Sequence, residues 1–120
     1  MTTFKQLGLT EKTLVALEKK GYKTPSPIQE KVIPLLLAGE ENIIGQAATW
    51  TGKTAAFGLP LIEKLQGTHR PQALILAPTR ELANQVAEEI ESFQTGKELR
   101  VLSIYGGQSY TIQISALKKG

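Results

Sequence analysis

Three short, largely apolar runs, each followed by a helical pattern, constrain the fold of this chain more than any other feature. Asn42-Ile43-Ile44-Gly45, Ala73-Leu74-Ile75-Leu76-Ala77 and the stretch from Arg100 to Tyr105 do not alternate apolar with polar side chains. Strands of that kind are covered on both faces, as in a parallel sheet between helices. A helix is expected from Lys53 through Leu65, with Pro60 kinking it. In the next, Leu82, Val86, Ile90 and Phe93 share a face, and a last amphipathic segment runs from Ser109 to Lys119. The order β-α-β-α-β-α predicts an α/β fold with about three parallel strands joined by right-handed crossovers.

Two helices precede this unit. Thr10 can cap the first, Leu14 and Leu17 give its apolar face, and Gly21 ends it. Pro25-Ser26-Pro27 forces an extended turn, and Ser26 with Pro27 starts a helix carrying Ile28, Val32, Leu35 and Leu36 up to Gly39. The 120 residues suit one small domain, without repeats or an internal linker. With no cysteine there is no disulfide framework, no Cys-based zinc site and no thiol nucleophile. The single His69 makes no metal cluster alone. A net charge of +3 is compatible with a polyanionic partner, and the lysines at 19, 20, 23, 118 and 119 read as solvated surface. No secretory pattern opens the chain, and no apolar run approaches the ~20 residues of a membrane span. The expected location is the cytoplasm, with no membrane partner.

Ala47-Ala48-Thr49-Trp50-Thr51-Gly52-Lys53-Thr54 lies between the first strand and its helix. A helix start offers unpaired N–H donors and the positive end of the helix dipole, so it attracts phosphate. Gly52 lets the backbone approach an oxygen closely. Lys53 can reach the β- and γ-phosphates, and the Thr54 hydroxyl can hold Mg²⁺. The generic phosphate-loop pattern wants glycine at its first position, where this chain has Ala47.

The flanking residues narrow the reading. Phe4, then seventeen residues later Gly21-Tyr22-Lys23-Thr24-Pro25-Ser26-Pro27-Ile28-Gln29, resembles the Q motif of DEAD-box RNA helicases. Pro78-Thr79-Arg80-Glu81-Leu82-Ala83 is similar to that family's motif Ia, Gly106-Gly107 to its glycine doublet, and 47–54 to its motif I, which also accepts alanine first. The resemblance covers essentially the whole chain. It implies a RecA-like phosphate-loop domain with N-terminal Q-motif helices, here the N-terminal portion of the first helicase domain. It implies ATP with Mg²⁺ as cofactors and RNA as partner. Catalytic roles fall to Lys53 and Thr54, and the nucleotide would be held by Phe4, Tyr22, Gln29 and the loop residues Ala48, Thr49, Trp50, Thr51, Gly52, Lys53 and Thr54. Gln29 carries a donor and an acceptor that match the N6 amine and N7 of adenine. By resemblance, Tyr22 stacks on the base and Phe4 packs nearby.

Pro78, Thr79, Arg80 and Glu81 open a helix at the carboxyl end of the second strand, where open parallel sheets bind ligands. Hydroxyl, guanidinium and free N–H groups there suit an RNA phosphate, and Gly106 and Gly107 let backbone come close to a nucleic-acid strand. Contacts of this kind carry little sequence specificity. Thr79 also fits a helix cap, Glu81 a structural partner, and Tyr105 and Tyr110 packing residues.

Two departures from the family pattern matter. Trp50 stands where relatives have glycine, which predicts weakened ATP binding. The family's Asp-Glu-Ala-Asp motif, its Ser-Ala-Thr motif and its second RecA-like domain come later than Gly120, so the 120 residues alone are expected to be inactive in ATP hydrolysis. An open sheet edge would favour self-association. The alternatives are another phosphate-loop ATPase or nucleotide kinase, and a non-enzymatic pseudo-ATPase module that binds RNA or a partner chain.

Overall fold

Glycines and prolines punctuate the chain where the sequence places them. The computed structural model describes residues 1–39, 42–96 and 99–120. A 3-10 turn, Phe4–Leu7, precedes α1, Glu11–Lys19, and α2, Pro27–Ala38. Gly21 and Gly39 follow these helices at φ +79° and +76°, the left-handed conformation that closes a helix end at least cost to glycine. Pro27 occupies the first turn of α2, where its missing N–H is no loss. The remaining helices are α3, Lys53–Lys64, α4, Arg80–Ser92, and α5, Tyr110–Lys119. α3 runs through Pro60, whose ring is fully buried. Thr10 is the N-cap residue of α1 and its carbonyl accepts the first helical bond, but its side chain makes no cap hydrogen bond. Its N–H and hydroxyl both donate to Glu63 Oε1, at 2.9 and 3.0 Å, so it ties α1 to the end of α3 instead.

The core gathers Phe4, Leu7, Leu9, Leu17, Ile33, Ala55, Leu59 and Phe93, with Leu14, Tyr22, Leu37 and Ile62 against it. Each large apolar side chain withdrawn here contributes roughly 1.5–3 kcal/mol. Packing is tightest between α2 and α3, and α3 also packs on α4. Gly58 makes the second contact close, since a Cβ there would come within 3.1 Å of Ile90 Cγ1.

The predicted parallel sheet is not formed. Among the described residues no strand occurs, and segments 42–46, 73–77 and 100–104 make no backbone hydrogen bond. A strand exists only with a neighbour about 4.8 Å away on its bonding edge, and these segments do not serve one another in that way. Their side chains are accordingly exposed, Ile44 fully and Leu74 and Leu76 at 86% each. The two C-terminal helices depart in the same direction. Ile90 and Phe93 are buried on α4, but Leu82 at its start is exposed. On α5 the buried residue is Gln113, while Tyr110, Ile112, Ile114 and Leu117 face solvent.

Candidate nucleotide-binding site

Segment 42–46 runs along α2, where a Cβ at Gly45 would meet Ile28 and Val32 at 3.5 and 3.6 Å. The chain then turns through the loop and enters α3. Gly52 precedes α3 at φ +75°, and Trp50 is the one non-glycine residue with positive φ, +71°, among the described residues. Thus Trp50 adopts the backbone angle that glycine would take, at a steric cost of about 1–2 kcal/mol. Its indole is 94% exposed and packs on almost nothing.

Several side chains shape the loop. Thr51 Oγ1 donates to the Ala48 carbonyl at 2.6 Å, and Lys53 Nζ donates to the Ala47 carbonyl at 2.7 Å. Two come from the start of α2. Ser26 Oγ donates to the Thr51 carbonyl at 2.7 Å, and Gln29 Nε2 to the Gly52 carbonyl at 3.1 Å. Any Cβ at Gly52 would fall on Gln29 Nε2. The first helical bond of α3 runs from the Ala56 N–H to the Gly52 carbonyl, so the N–H groups of residues 53 to 55 have no intrahelical acceptor.

Gln29 is 3% exposed. Its Oε1 accepts from the Ser26 N–H at 2.9 Å, closing the cap of α2, while Nε2 holds the loop. A primary amide has two protons and two lone pairs, so one of each is used and one of each remains. Tyr22 sits edge-on to Phe4 and Phe93, with ring centroids 6.2 and 5.8 Å away. Its hydroxyl donates to Glu89 Oε1 on α4 at 3.4 Å. Burial first, then the Glu89 charge and hydrogen bond, raises the Tyr22 pKa above its ordinary value. Lys20 donates to Ser92 Oγ and lies 5.0 Å over the Phe93 ring, a second tie between the segment after α1 and the end of α4.

At the other end of α4, Thr79 is the cap: its Oγ1 accepts from the Leu82 N–H at 3.1 Å. Arg80 pairs with Glu81 at 3.3 Å and lies 5.8 Å from the centroid of Tyr105, next to Gly106 and Gly107. Ser103 Oγ donates to the Ala83 carbonyl at 3.2 Å, holding the last extended segment against α4. Pro78, Thr79, Arg80, Glu81, Gly106 and Gly107 are all exposed. The Glu81 carboxyl is held below its ordinary range by its own backbone N–H first and by Arg80 second.

The structure therefore joins Gln29 to the loop 47–54, Phe4 to Tyr22, and Arg80 to the residue before the glycine doublet. Ser26, Glu89 and Gly58 had no assigned site role in the sequence. Ser26 carried a signal in its place between two prolines, whereas Glu89 and Gly58 matter only through partners distant in the chain. Among the described residues, no three His, Cys, Asp or Glu side chains converge on a metal position. Among the described residues, no helix is long and apolar enough to cross a membrane.

A loop closed onto a helix start, with lysine and threonine opening that helix, has the form of a phosphate-binding loop. The chain belongs to the DEAD/DEAH box helicase family, which matches residues 26–120. It is 52% identical to the DEAD-box ATP-dependent RNA helicase CshA of Geobacillus kaustophilus (strain HTA426) over 99% of this chain and 26% of that protein. It thus spans about a quarter of that relative's length. The crystal structure of a DEAD box protein from the hyperthermophile Methanococcus jannaschii superposes with a TM-score of 0.89 at 47% identity, covering all of this chain and 33% of the other. Prp28 from Chaetomium thermophilum, an RNA helicase bound to ADP, superposes at 0.85 with 41% identity over 100% and 30% of the two chains. These are RecA-like helicase domains, and the chain shares their fold over its length.

Proposed function

We propose that the chain is the adenine-nucleotide-binding part of an ATP-dependent RNA helicase. Gln29 carries the reading, because one buried amide bonds both the cap of α2 and the Gly52 carbonyl of the phosphate loop. Its remaining proton and lone pair are the complement of the adenine edge, so base recognition and loop shape share one side chain. The residues fit ATP. The open N–H groups at the start of α3, Lys53 and residues 48–52 receive phosphates, with Lys53 exchanging the Ala47 carbonyl for an oxygen. The Thr54 hydroxyl would offer a ligand to Mg²⁺, which when bound would neutralise charge on the phosphates. Tyr22, with Phe4 behind it, supports the base. Thr79, Arg80 and the Gly106-Gly107 turn receive RNA phosphates with little regard for sequence, with Pro78 and Glu81 shaping that edge. The motif boundaries 4–29, 47–54, 78–83 and 106–107 follow, as does action in the cytoplasm.

The 120 residues contain no aspartate, hence no Asp-Glu-Ala-Asp motif. Binding without turnover is the expected activity of this chain alone. Trp50 is the sole tryptophan, so its fluorescence reports nucleotide entry. Titration should show ATP and ADP preferred over GTP, and Gln29→Ala should abolish the preference. Trp50→Gly should tighten ATP about tenfold, the effect of removing a bulky side chain beside the phosphate-binding N–H groups. With the tryptophan gone, that variant is followed by calorimetry. No adenine preference overturns the reading of Gln29, and equal ATP affinities remove the role given to Trp50. Phosphate release above background in the presence of RNA overturns the absence of turnover.

The exposed indole and the strained loop favour one competitor, a binding module that has given up ATP. It predicts RNA binding with no nucleotide affinity even in Trp50→Gly.

A further inference from the structure

Gln113 is a polar residue in an unusual place. It is 5% exposed, on a helix whose other residues are exposed or half-buried. It stands in the first turn of α5, where its N–H makes the first helical bond, to the Ser109 carbonyl. Its Nε2 donates to the Tyr105 carbonyl at 3.1 Å. That bond reaches back eight residues and closes the turn that carries Gly106 and Gly107. On the near side of the turn, the Ser103 hydroxyl holds the chain to the Ala83 carbonyl of α4. Burying an amide costs free energy unless its polar atoms are bonded, so the Tyr105 carbonyl and the Gln113 amide each depend on the other.

What this clasp fixes is the Tyr105 ring. Arg80 lies over that ring, with Cζ 5.8 Å from the centroid, and reaches Glu81 at 3.3 Å. The Arg80 side chain is otherwise open, at 58% exposure, and a free arginine of that kind samples many rotamers. A ring face on one side and a carboxylate on the other confine it to the residue that precedes Gly106. The N–H groups of Gly106 and Gly107 make no hydrogen bond among the described residues. The space in front of both is empty, since a Cβ at either would meet nothing within 4 Å. A guanidinium held next to unpaired N–H groups is suited to one phosphate.

We infer that Gln113 and Tyr105 are positioning residues of the RNA edge: Gln113 fixes Tyr105 through its carbonyl, and the Tyr105 ring seats Arg80 where it meets a phosphate together with the glycine turn. The inference rests on the RNA role proposed for Arg80, and one variant in the test addresses that role by itself.

The test titrates the 120-residue chain and its variants into a fluorescein-labelled single-stranded oligouridylate, read by anisotropy over a range of salt. Arg80→Ala should weaken binding about tenfold and flatten the dependence of log K on log salt by about 0.7, the loss of one phosphate contact. Gln113→Met keeps the bulk of the side chain without its donor, and Tyr105→Leu removes the ring. Each should weaken binding about threefold, the worth of an exposed cation–π contact, while Tyr105→Phe keeps the ring and binds like the parent. Neither loss should recur in an Arg80→Ala background, because both residues act through Arg80. In the chain without RNA, the NMR signal of the Arg80 Nε–H should be displaced by the ring current in the parent and in Tyr105→Phe, and should move toward that of free arginine in Gln113→Met and Tyr105→Leu. Losses that add to that of Arg80→Ala overturn the inference, as does an Arg80 signal that none of these variants moves. Where Gln113→Met loses helical circular dichroism, the two Tyr105 variants decide, and equal RNA affinities for them overturn it. Arg80→Ala binding like the parent overturns the RNA reading of Arg80 and the inference with it. A loss in Arg80→Ala beside parent-like binding by Gln113→Met and Tyr105→Leu overturns the inference alone.

Discussion

The two halves of this molecule are built from similar sequence patterns and reach different ends. From Phe4 to about Lys64, apolar helix faces meet each other, and Ile33, Ala55 and Leu59 are withdrawn completely from water. The phosphate loop in that half is held by side chains from outside itself, above all Ser26 and Gln29. From Ala73 onward, equally apolar segments stay exposed, and α5 turns its isoleucines outward. The difference lies in where the partners are. A helix satisfies its backbone by itself and needs only a neighbour for one face, whereas a strand depends on a neighbour for its hydrogen bonds as well. The helices, with Ile90 and Phe93 of the later half among them, find partners for their apolar faces, and the extended segments 42–46, 73–77 and 100–104 leave their edges unpaired.

Paired truncations should break this symmetry of pattern most plainly. Phe93→Ala removes a fully buried ring shared by α4, Tyr22 and Lys20, and should cost about 3–5 kcal/mol of unfolding free energy. Leu74→Ala, at a residue just as apolar but 86% exposed, should stay within about 0.5 kcal/mol of the parent. Urea unfolding followed by circular dichroism measures both. Similar losses would mean that 73–77 is packed in solution.

Gln29 offers the next largest effect, inside the ordered half. Gln29→Ala leaves the half-buried Ser26 N–H without its acceptor and the Gly52 carbonyl with only the Ala56 N–H, at about 1–3 kcal/mol. Gln29→Glu keeps an acceptor for Ser26 but sets a carboxylate against the Gly52 carbonyl. It should therefore retain the α2 cap and still loosen the loop. Exchange of the amides at the start of α3 should rise in both variants, while those in the first turn of α2 should open only in Gln29→Ala. If α2 and α3 respond together in both, Gln29 braces the halves as one unit and the division of labour between its two atoms fails.

The sequence made this half legible because its signals are local. Gly21, Pro27 and Gly39 mark helix ends through their own backbone preferences, and the spacing from Phe4 to Gln29 singles out residues that the fold pairs, Phe4 with Tyr22 and Gln29 with the loop. Thr10 stands at the N-cap as its sequence position predicts, but its side chain bonds Glu63 on another element, which local spacing does not reveal. The sheet is absent among the described residues for a deeper reason: apolar runs state what a segment needs, and these three do not serve one another. Glu89 and Gly58 stayed hidden because a hydroxyl partner and a close helix crossing have no signature in one sequence.

Alkaline pH should separate Tyr22 from the exposed half of the molecule. Its pKa is raised by burial and by Glu89, so its contribution is complete below the ordinary tyrosine value of 10.0 and is lost as pH rises through the higher folded value. The melting midpoint of the parent should fall more steeply above pH 10.0 than that of Tyr22→Phe, which keeps the ring between Phe4 and Phe93 and cannot ionise. Identical slopes would show that Tyr22 ionises without resistance and that its link to α4 is slight.

The smallest effect belongs to the exposed end of α4. The Glu81 carboxyl is held low, first by its own N–H and then by Arg80, so any contribution it makes is present above the ordinary carboxylate range and fades as pH falls through the lowered value. The pair lies open to solvent, with the two side chains 58% and 75% exposed, where salt and water screen it. Glu81→Gln should therefore leave the melting midpoint unchanged from neutral pH down through that range. The same substitution removes a negative charge beside Arg80, so weak RNA binding should strengthen slightly at low salt and converge on the parent as salt rises. A fall in midpoint would place Glu81 in the framework of α4, and a salt-independent change in RNA affinity would mean that it touches RNA directly. Unchanged stability with a salt-dependent gain is the behaviour of a surface exposed for a ligand, as the buried amide of Gln29 is the behaviour of a site the chain builds for itself.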